Sequence, residues 1–187
     1  MKRLVLLFAL IASPVAAADV CDDLWFTRNL IMDRAGYCFG STLGQAVFDN
    51  GNCIGKSVSL SAQAQRQVAE IRELEKVIQC KVDTGKTSLD LPDIETRRKL
   101  IDLPVRDEFE SGCIGWQLDF EPLHAGHDGN SAIIGRVEPE DDILWSHRSQ
   151  VEGWDYVMVM QSGWGSVKSA GWMRSPTDEK SCRQWAG

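Results

Sequence analysis

Tryptophan is the residue type whose number and spacing point most directly to a chemical role in this chain. Of the 7 tryptophans, five follow residue 140: Trp145, Trp154, Trp164, Trp172 and Trp185. Trp164 lies in Ser-Gly-Trp-Gly, a predicted hairpin tip with few neighbours that could bury an indole. An exposed ring between glycines is typical of a contact for a sugar or a peptide. We therefore predict Trp164 as a ligand-binding residue, with Trp145 and His147 on an adjacent strand extending the same face.

The chain lacks the short motifs of well-known hydrolases and transferases. HExxH and GxSxG do not occur, and Gly85-Lys86-Thr87 lacks the earlier glycine of a phosphate-binding loop, because Cys80 stands at that position. A cysteine nucleophile working with His147 would need a free thiolate, which oxidation after export would remove. We therefore predict no catalytic residues.

Two groups of polar residues could nevertheless form a site. Glu138, Asp141 and Asp142 resemble the carboxylate pair of a glycosidase, although sequence does not give their separation in space. His124, His127 and Asp128 could seed a metal site, since imidazole and carboxylate are natural ligands. Acidic turns and histidine-bearing loops are more often simply solvated. We predict neither a metal nor a cofactor.

Residues 1–18 have the pattern of a secretory signal peptide. Lys2 and Arg3 precede a short apolar run, and Ala16-Ala17-Ala18 offers a cleavage site for signal peptidase. The run is too short for a membrane anchor, and Asp19-Val20 before Cys21 disfavours a lipoprotein. The sequence thus predicts a periplasmic or secreted protein with no membrane insertion after cleavage. Its formal charge of -7 argues against nucleic acid as a partner.

Six cysteines follow the predicted leader: Cys21, Cys38, Cys53, Cys80, Cys113 and Cys182. An even number in an exported protein favours three disulfides, and the absence of a CxxC pair disfavours zinc. Pairing cannot be deduced from sequence, since six cysteines allow 15 arrangements. Our provisional assignment joins Cys38 to Cys53, Cys80 to Cys113 and Cys21 to Cys182.

Periodicity predicts a helical first half and an all-β second half that meet near residue 118. Asp22 or Asp23, Ser41 and Ser61 are expected to cap successive helices. The clearest helix carries apolar residues at spacings of three and four: Ala64, Val68, Ile71, Leu74 and Ile78. A short helix is predicted over 94–103. Strands are predicted over Ile133–Val137, 143–146, Trp154–Met160 and 171–173.

Two stretches resemble known modules of exported bacterial proteins. Arg28-Asn29-x-Ile31 and Arg34-Ala35-Gly36-Tyr37-x-Phe39 are similar to the YARHG module, with Ala35 in place of its histidine. The second half resembles the bacterial SH3-like domain. The matching residues are Ile134-Gly135-x-Val137, Pro139 followed by Asp141-Asp142 and Ile143, Gly153-Trp154-x-Tyr156-Val157 and Gly171-Trp172. This second resemblance implies a small barrel whose core includes Trp154 and Trp172.

These observations predict an α+β protein. A signal peptide at 1–18 would precede a small disulfide-stapled helical YARHG-like domain at 19–118. A small SH3-like β-barrel would follow at 119–176, with a C-terminal tail at 177–187. By analogy with exported SH3-like domains, we expect a non-catalytic cell-envelope binding or adaptor protein that recognises peptidoglycan, a glycan or a protein segment. The alternative is a secreted cell-wall-directed enzyme, or an enzyme inhibitor, that uses the cleft between the two halves.

Overall fold

The computed structural model describes residues 14–149, 151–176 and 179–187. Its helices are α1 (Pro14–Arg34), α2 (Thr42–Val47), α3 (Ala62–Val77) and α4 (Ile94–Arg97). Its strands are β1 (Arg106–Trp116), β2 (Glu121–His124), β3 (Ile133–Val137), β4 (Asp142–His147), β5 (Trp154–Met160), β6 (Val167–Arg174) and β7 (Cys182–Ala186). Within these ranges, no helix is long and apolar enough to cross a membrane. Residues 1–13 of the predicted signal peptide lie outside the described residues.

The helix starts follow the expected capping chemistry at two of three positions. The side chain of Ser41 accepts a hydrogen bond from the backbone N–H of Gly44, and Ser61 does the same for Ala64. The first helix does not begin at Asp22 or Asp23, because α1 runs unbroken from Pro14. The helix predicted over 94–103 is only one turn long and ends at Arg97.

The strands form one antiparallel sheet of seven, in the order β3-β2-β6-β5-β4-β1-β7. Among the described residues, no pairing joins the edge strands β3 and β7, so the sheet is open and the predicted closed SH3-like barrel is not confirmed. The sheet begins at Arg106, before the predicted switch near residue 118. The strand β1 was not predicted from the sequence, because residues 108–111 are exposed and do not alternate in polarity. In the predicted tail, residues 182–186 form β7, whereas residues 177 and 178 lie outside the described ranges.

The sheet separates two apolar clusters. One face packs against the helices, so that Trp154, Tyr156 and Trp172 join a core with Phe26 and Ile71. The opposite face carries a smaller cluster with Val157, Val159 and the Cys113–Cys182 disulfide. Both faces of β5 are therefore buried, because its successive residues 156–159 point to opposite faces and are all buried.

All six cysteines form disulfides, as predicted, but the provisional pairing is right for only one of the three. Cys38 joins Cys53, whereas Cys21 joins Cys80 and Cys113 joins Cys182. The assignments of Cys80 to Cys113 and of Cys21 to Cys182 are wrong, because α1 and α3 pack side by side. That packing brings Cys21 next to the residues that follow α3, and Arg28 and Glu75 form an ion pair at 2.9 Å between the same two helices.

Candidate functional site

A groove with a volume of about 430 Å³ lies between the helices and the sheet. It lies where the end of α1, the start of α3 and segment 101–103 meet His127. Its lining residues are Ile31, Arg34, Ala35, Ser59, Leu60, Ser61, Gln63, Ala64, Gln67, Ile101, Asp102, Leu103 and His127. The lining contains both apolar and polar side chains, and Ile101 is 65% exposed. We call this feature the groove.

The polar wall of the groove is held by Asp102. Its backbone carbonyl accepts the indole N–H of Trp172 at 2.8 Å, which anchors segment 101–103 to β6. Its carboxylate accepts the backbone N–H of His127 at 3.2 Å and lies 3.5 Å from the Nε2 atom of the same residue. The His127 ring packs edge-on against Trp172. An imidazole and a carboxylate therefore face the groove in a fixed arrangement.

The opposite wall is also fixed by hydrogen bonds within the chain. Arg34 donates to the backbone carbonyls of Arg97, at 3.3 Å, and Leu100, at 2.7 Å, and its partial burial lowers the pKa of its guanidinium. The side-chain amide of Gln67 donates to the carbonyl of Leu103 at 2.7 Å. Because these groups are already held, the groove is formed before any ligand enters it.

A buried ion network lies between α1, α4 and the sheet, away from the groove. We use this name for Asp23, Thr27, Asp93, Arg97, His147 and Tyr156. Arg97 is 1% exposed and donates to both oxygens of Asp23, to Thr27 and, through Nε at 2.8 Å, to Asp93. The Tyr156 hydroxyl donates to Asp93 at 2.8 Å. Burial alone would raise the pKa of Asp23, but the charge and hydrogen bonds of Arg97 hold it well below its usual value.

His147 belongs to this network and not to an exposed surface. Its Nε2 atom lies 2.9 Å from the Arg97 guanidinium, a donor, and 3.2 Å from the Asp23 carboxylate, an acceptor, so the tautomer of the ring decides which of the two it binds. Its Nδ1 atom lies 3.1 Å from the Ser146 hydroxyl. Burial lowers the pKa of His147, and the nearby Asp23 opposes this effect only in part. The side chain of His147, which the sequence predicted to bind a ligand, is only 1% exposed.

Trp164 lies at the tip of the β5–β6 hairpin, where the sequence placed it, and is 41% exposed. Its backbone is left-handed, with φ at 57°, and the Asp142 carboxylate fixes the tip by accepting the N–H groups of Gly163 at 2.7 Å and Trp164 at 2.8 Å. The indole lies over Gly112 of β1, so closely that a Cβ there would come within 2.5 Å of it. Trp164 is therefore a packed residue with one exposed side.

Trp145 and Trp164 lie on opposite faces of the sheet. Trp145 is opposite Ser111, whereas the Trp164 indole covers the next residue, Gly112. Successive residues of a strand point to opposite faces. Trp145 instead stacks on Trp185 of the edge strand β7, with ring centroids 5.6 Å apart. Trp164, Trp145 and His147 thus occupy three separate surroundings and do not form one face.

The remaining polar candidates are engaged in local structure. Lys168 pairs with Glu138 and, at 2.9 Å, with Asp141. His124 lies with Nδ1 at 3.1 Å from the Ser131 carbonyl. Among the described residues, no group of three or more histidine, cysteine and acidic side chains is arranged to hold a metal ion. The six disulfide-bonded cysteines leave no thiolate to act as a nucleophile.

The sequence singled out His127 and predicted a cleft between the two halves, but it did not indicate the partner Asp102 or the position of the groove. The two residues are 25 positions apart, and neither stands in a motif that signals the other. It also missed Arg97, whose fully buried guanidinium gives no local pattern in a four-residue helix. The anchoring Trp172 was assigned to core packing, and it is fully buried.

Two family models match the chain. One, described as a domain of unknown function (DUF4453), matches residues 79–187, which is more than half of the chain. The other, described as the YARHG domain, matches residues 4–76. The YARHG-like module is thus confirmed, whereas the SH3-like resemblance of the second half is not. No curated protein and no solved structure matches the chain.

Proposed function

This chain belongs to the family defined by the domain of unknown function DUF4453, and we propose that it acts as a non-catalytic binding protein of the bacterial cell envelope. In this proposal, the groove holds a peptide or glycan segment of the cell wall or of an envelope protein. The observation that carries the proposal is the groove itself, a concavity of about 430 Å³ between the YARHG-like helices and the sheet.

The size and lining of the groove support this role. Ligand sites usually have volumes of roughly 300–1,000 Å³ and combine apolar walls with a few fixed polar groups. Here Leu60 and Ala64 supply apolar surface, while Gln63, Asp102 and His127 supply hydrogen-bonding groups. A site whose walls are already held by internal hydrogen bonds loses less conformational entropy when it binds. A segment with both apolar and hydrogen-bonding groups fits such a lining.

Export into an oxidising compartment belongs to the same proposal. The disulfides and the YARHG match are consistent with an exported protein. Cell-wall material and envelope proteins are the partners available in the periplasm, and the chain's negative charge disfavours polyanions.

Retention on purified cell-wall sacculi tests the binding proposal. We expect the wild type to be retained and Ala64→Phe to be released, because the larger side chain fills the groove. Ala69→Phe is the matched control, since Ala69 is exposed on the same helix and does not line the groove. Loss of retention with Trp164→Ala but not with Ala64→Phe would move recognition to the hairpin tip. A wild type that is not retained contradicts the proposal for cell-wall ligands.

A second candidate is a secreted cell-wall-directed enzyme, the alternative that the sequence left open beside an enzyme inhibitor. It is favoured by the contact of His127 with Asp102, because a carboxylate that orients an imidazole is a common general-base arrangement. Release of soluble fragments from sacculi that stops with His127→Gln and survives His124→Gln would support this function. Retention on sacculi without any release of fragments would contradict the enzyme function and support the binding function.

A further inference from the structure

A second, smaller cavity of about 140 Å³ lies between residues 91–93, β1 and the helix-facing side of the sheet. Its floor is apolar and consists of Leu144, Met158, Met160 and Val167. Its other end is charged. We call this feature the sheet cavity, and it shares no lining residue with the groove.

The charged end carries more carboxylates than guanidinium groups. Asp23, Asp93 and Glu110 supply three negative charges, and Arg97 and Arg106 supply two positive charges. Arg97 binds Asp23 and Asp93, and Arg106 binds Glu110. The Glu110 side chain is 51% exposed and solvated, whereas two buried carboxylates, Asp23 and Asp93, face two buried guanidinium groups, Arg97 and Arg106.

Asp93 also has an unsatisfied atom. Its Oδ2 atom accepts hydrogen bonds from Arg97 and Tyr156, each at 2.8 Å, whereas its Oδ1 atom is buried and accepts none from the described residues. The residue is 2% exposed and lines the sheet cavity. A buried carboxylate oxygen without a donor is destabilising, and a donor that enters the cavity would remove that penalty.

We propose that the sheet cavity binds a primary ammonium group carried on a short aliphatic chain, as in a small alkylamine or a lysine-like side chain. The ammonium group donates to Asp93, and the aliphatic chain covers Met158, Met160 and Val167. An ammonium group has three donors and no acceptor, which matches an acceptor-only carboxylate. A dry protein cavity of about 150 Å³ is known to hold benzene, so a chain of about five non-hydrogen atoms fits this volume.

The charge of the ligand distinguishes this proposal from a purely apolar cavity. A neutral alcohol of the same length would fill the space and donate one hydrogen bond, but a neutral donor binds a carboxylate such as Asp93 less strongly than an ammonium group does. A carboxylate of the same length would add a further negative charge and be repelled. We therefore expect n-butylamine to bind, n-butanol to bind much more weakly and butyrate not to bind.

Methyl NMR of the methionines in the full mature protein tests the proposal with a site-specific readout. Met158 and Met160 line the sheet cavity, whereas Met32 and Met173 do not and serve as internal controls. Titration with n-butylamine should shift the first two signals in a saturable way and leave the other two in place. Parallel titration with a lysine whose α-amino and carboxyl groups are blocked separates the two sources. Binding of this compound supports a lysine side chain of a peptide, and binding of n-butylamine alone supports a free amine.

Two variants keep the test independent of folding. Asp93→Asn should abolish the shifts but also disturbs Arg97 and Tyr156, so Glu110→Gln is the second variant. The Glu110 side chain is 51% exposed, and its loss should weaken n-butylamine binding by up to about fivefold while the spectrum stays native. Equal shifts with n-butanol and n-butylamine would overturn the assignment of an ammonium group. The absence of any saturable shift at Met158 and Met160 would overturn the site.

Discussion

At the scale of single residues, Arg97 is the side chain on which the contact between the helices and the sheet depends most. It is 1% exposed and donates to Asp23 of α1, to Asp93 and to His147 of β4. A buried ion pair contributes little net stability when complete, but removal of one partner leaves an uncompensated buried charge. Removal of Arg97 is therefore expected to destabilise the protein by much more than the net stability that its ion pairs contribute.

We expect Arg97→Met to lower the free energy of unfolding by about 3–5 kcal/mol, because Asp23 and Asp93 would lose their counter-charge. Urea unfolding followed by circular dichroism measures this loss. Lys99→Met is the matched control, since Lys99 is exposed in the turn after α4. A loss of similar size in both variants would show that Arg97 has no special role.

His147 makes the stability of the protein dependent on pH. Burial lowers its pKa from the ordinary value of 6.5 in the folded chain, so the unfolded chain takes up the proton first as the pH falls. Its contribution is complete above about pH 6.5, and below that pH the free energy of unfolding decreases by up to about 1.4 kcal/mol per pH unit. The charged and titratable groups that face it are Asp23, Arg97, Asp93 and Tyr156.

His147→Gln isolates this contribution, because its neutral amide oxygen can accept from Arg97 and does not titrate. We expect unfolding curves of the variant to lose the slope just below pH 6.5 and to keep the decrease at lower pH that comes from Asp23. The decrease in the free energy of unfolding that comes from Asp23 occurs below pH 3.8, the ordinary pKa of an aspartate, because the pKa of Asp23 is lowered in the folded state. Identical pH profiles for the variant and the wild type would contradict the assignment.

Gly112 and Trp164 form a close contact that requires the absence of a side chain on β1. A Cβ at Gly112 would lie 2.5 Å from the indole and 3.2 Å from the carbonyl oxygen of Ile143. We expect Gly112→Ala to displace the indole and to cost about 1–3 kcal/mol. Unfolding and tryptophan fluorescence measure the two effects. Gly129→Ala is the control, because a Cβ at Gly129 has no neighbour within 4 Å, and equal effects in both variants would contradict the contact.

At the scale of elements, the edge strand β7 is the part of the sheet most dependent on a covalent bond. It pairs with β1 alone, and most of its side chains are exposed. The Cys113–Cys182 disulfide joins it to β1 across a separation of 69 residues. A short strand with one neighbour and little buried surface is expected to open locally unless it is tied down.

We expect the double variant Cys113→Ala/Cys182→Ala to lose about 4 kcal/mol of stability in the chain-entropy model and to show faster amide exchange in β7. The Cys38–Cys53 disulfide closes a loop of only 15 residues, so Cys38→Ala/Cys53→Ala should lose about 3 kcal/mol, with faster exchange near α2. Hydrogen exchange with mass spectrometry measures both patterns. Unchanged exchange in β7 after removal of its disulfide would contradict the first expectation.

At the scale of the whole molecule, the two regions matched by the family models share one core. Leu24 and Phe26 of α1 lie in the same buried cluster as Trp154, Tyr156 and Trp172 of the sheet. The Cys21–Cys80 disulfide and the contact between Asp23 and Arg97 cross the same boundary. Neither region can bury its apolar face without the other, so the two are expected to be interdependent in folding.

We therefore expect a single cooperative unfolding transition. Far-ultraviolet circular dichroism reports mainly the helices, and tryptophan fluorescence reports mainly the sheet, since five tryptophans follow residue 140. The two signals should coincide along a urea titration, as two-state unfolding requires. Two separate transitions would show that the YARHG-like and DUF4453 regions are independent domains.

Several features were determined by the sequence alone because neighbours along the chain encode them. Ser41 and Ser61 cap helices through bonds to residues three positions away, and Cys38 pairs with a cysteine only 15 positions along. The strand over Trp154–Met160 and the position of Trp164 in a hairpin follow from local spacing in the same way. The YARHG resemblance depends on one short contiguous stretch and was confirmed.

Only the tertiary structure decided which distant residues meet. The Cys21–Cys80 and Cys113–Cys182 pairs span 59 and 69 residues, and the Asp23–Arg97 pair spans 74. No local pattern records such pairs, because packing of α1 on α3 and of both on an open sheet creates them. For the same reason, His147 is buried beside Arg97 although its spacing from Trp145 suggested a shared exposed face. The groove and the sheet cavity are likewise products of packing, since each is lined by segments far apart in the chain.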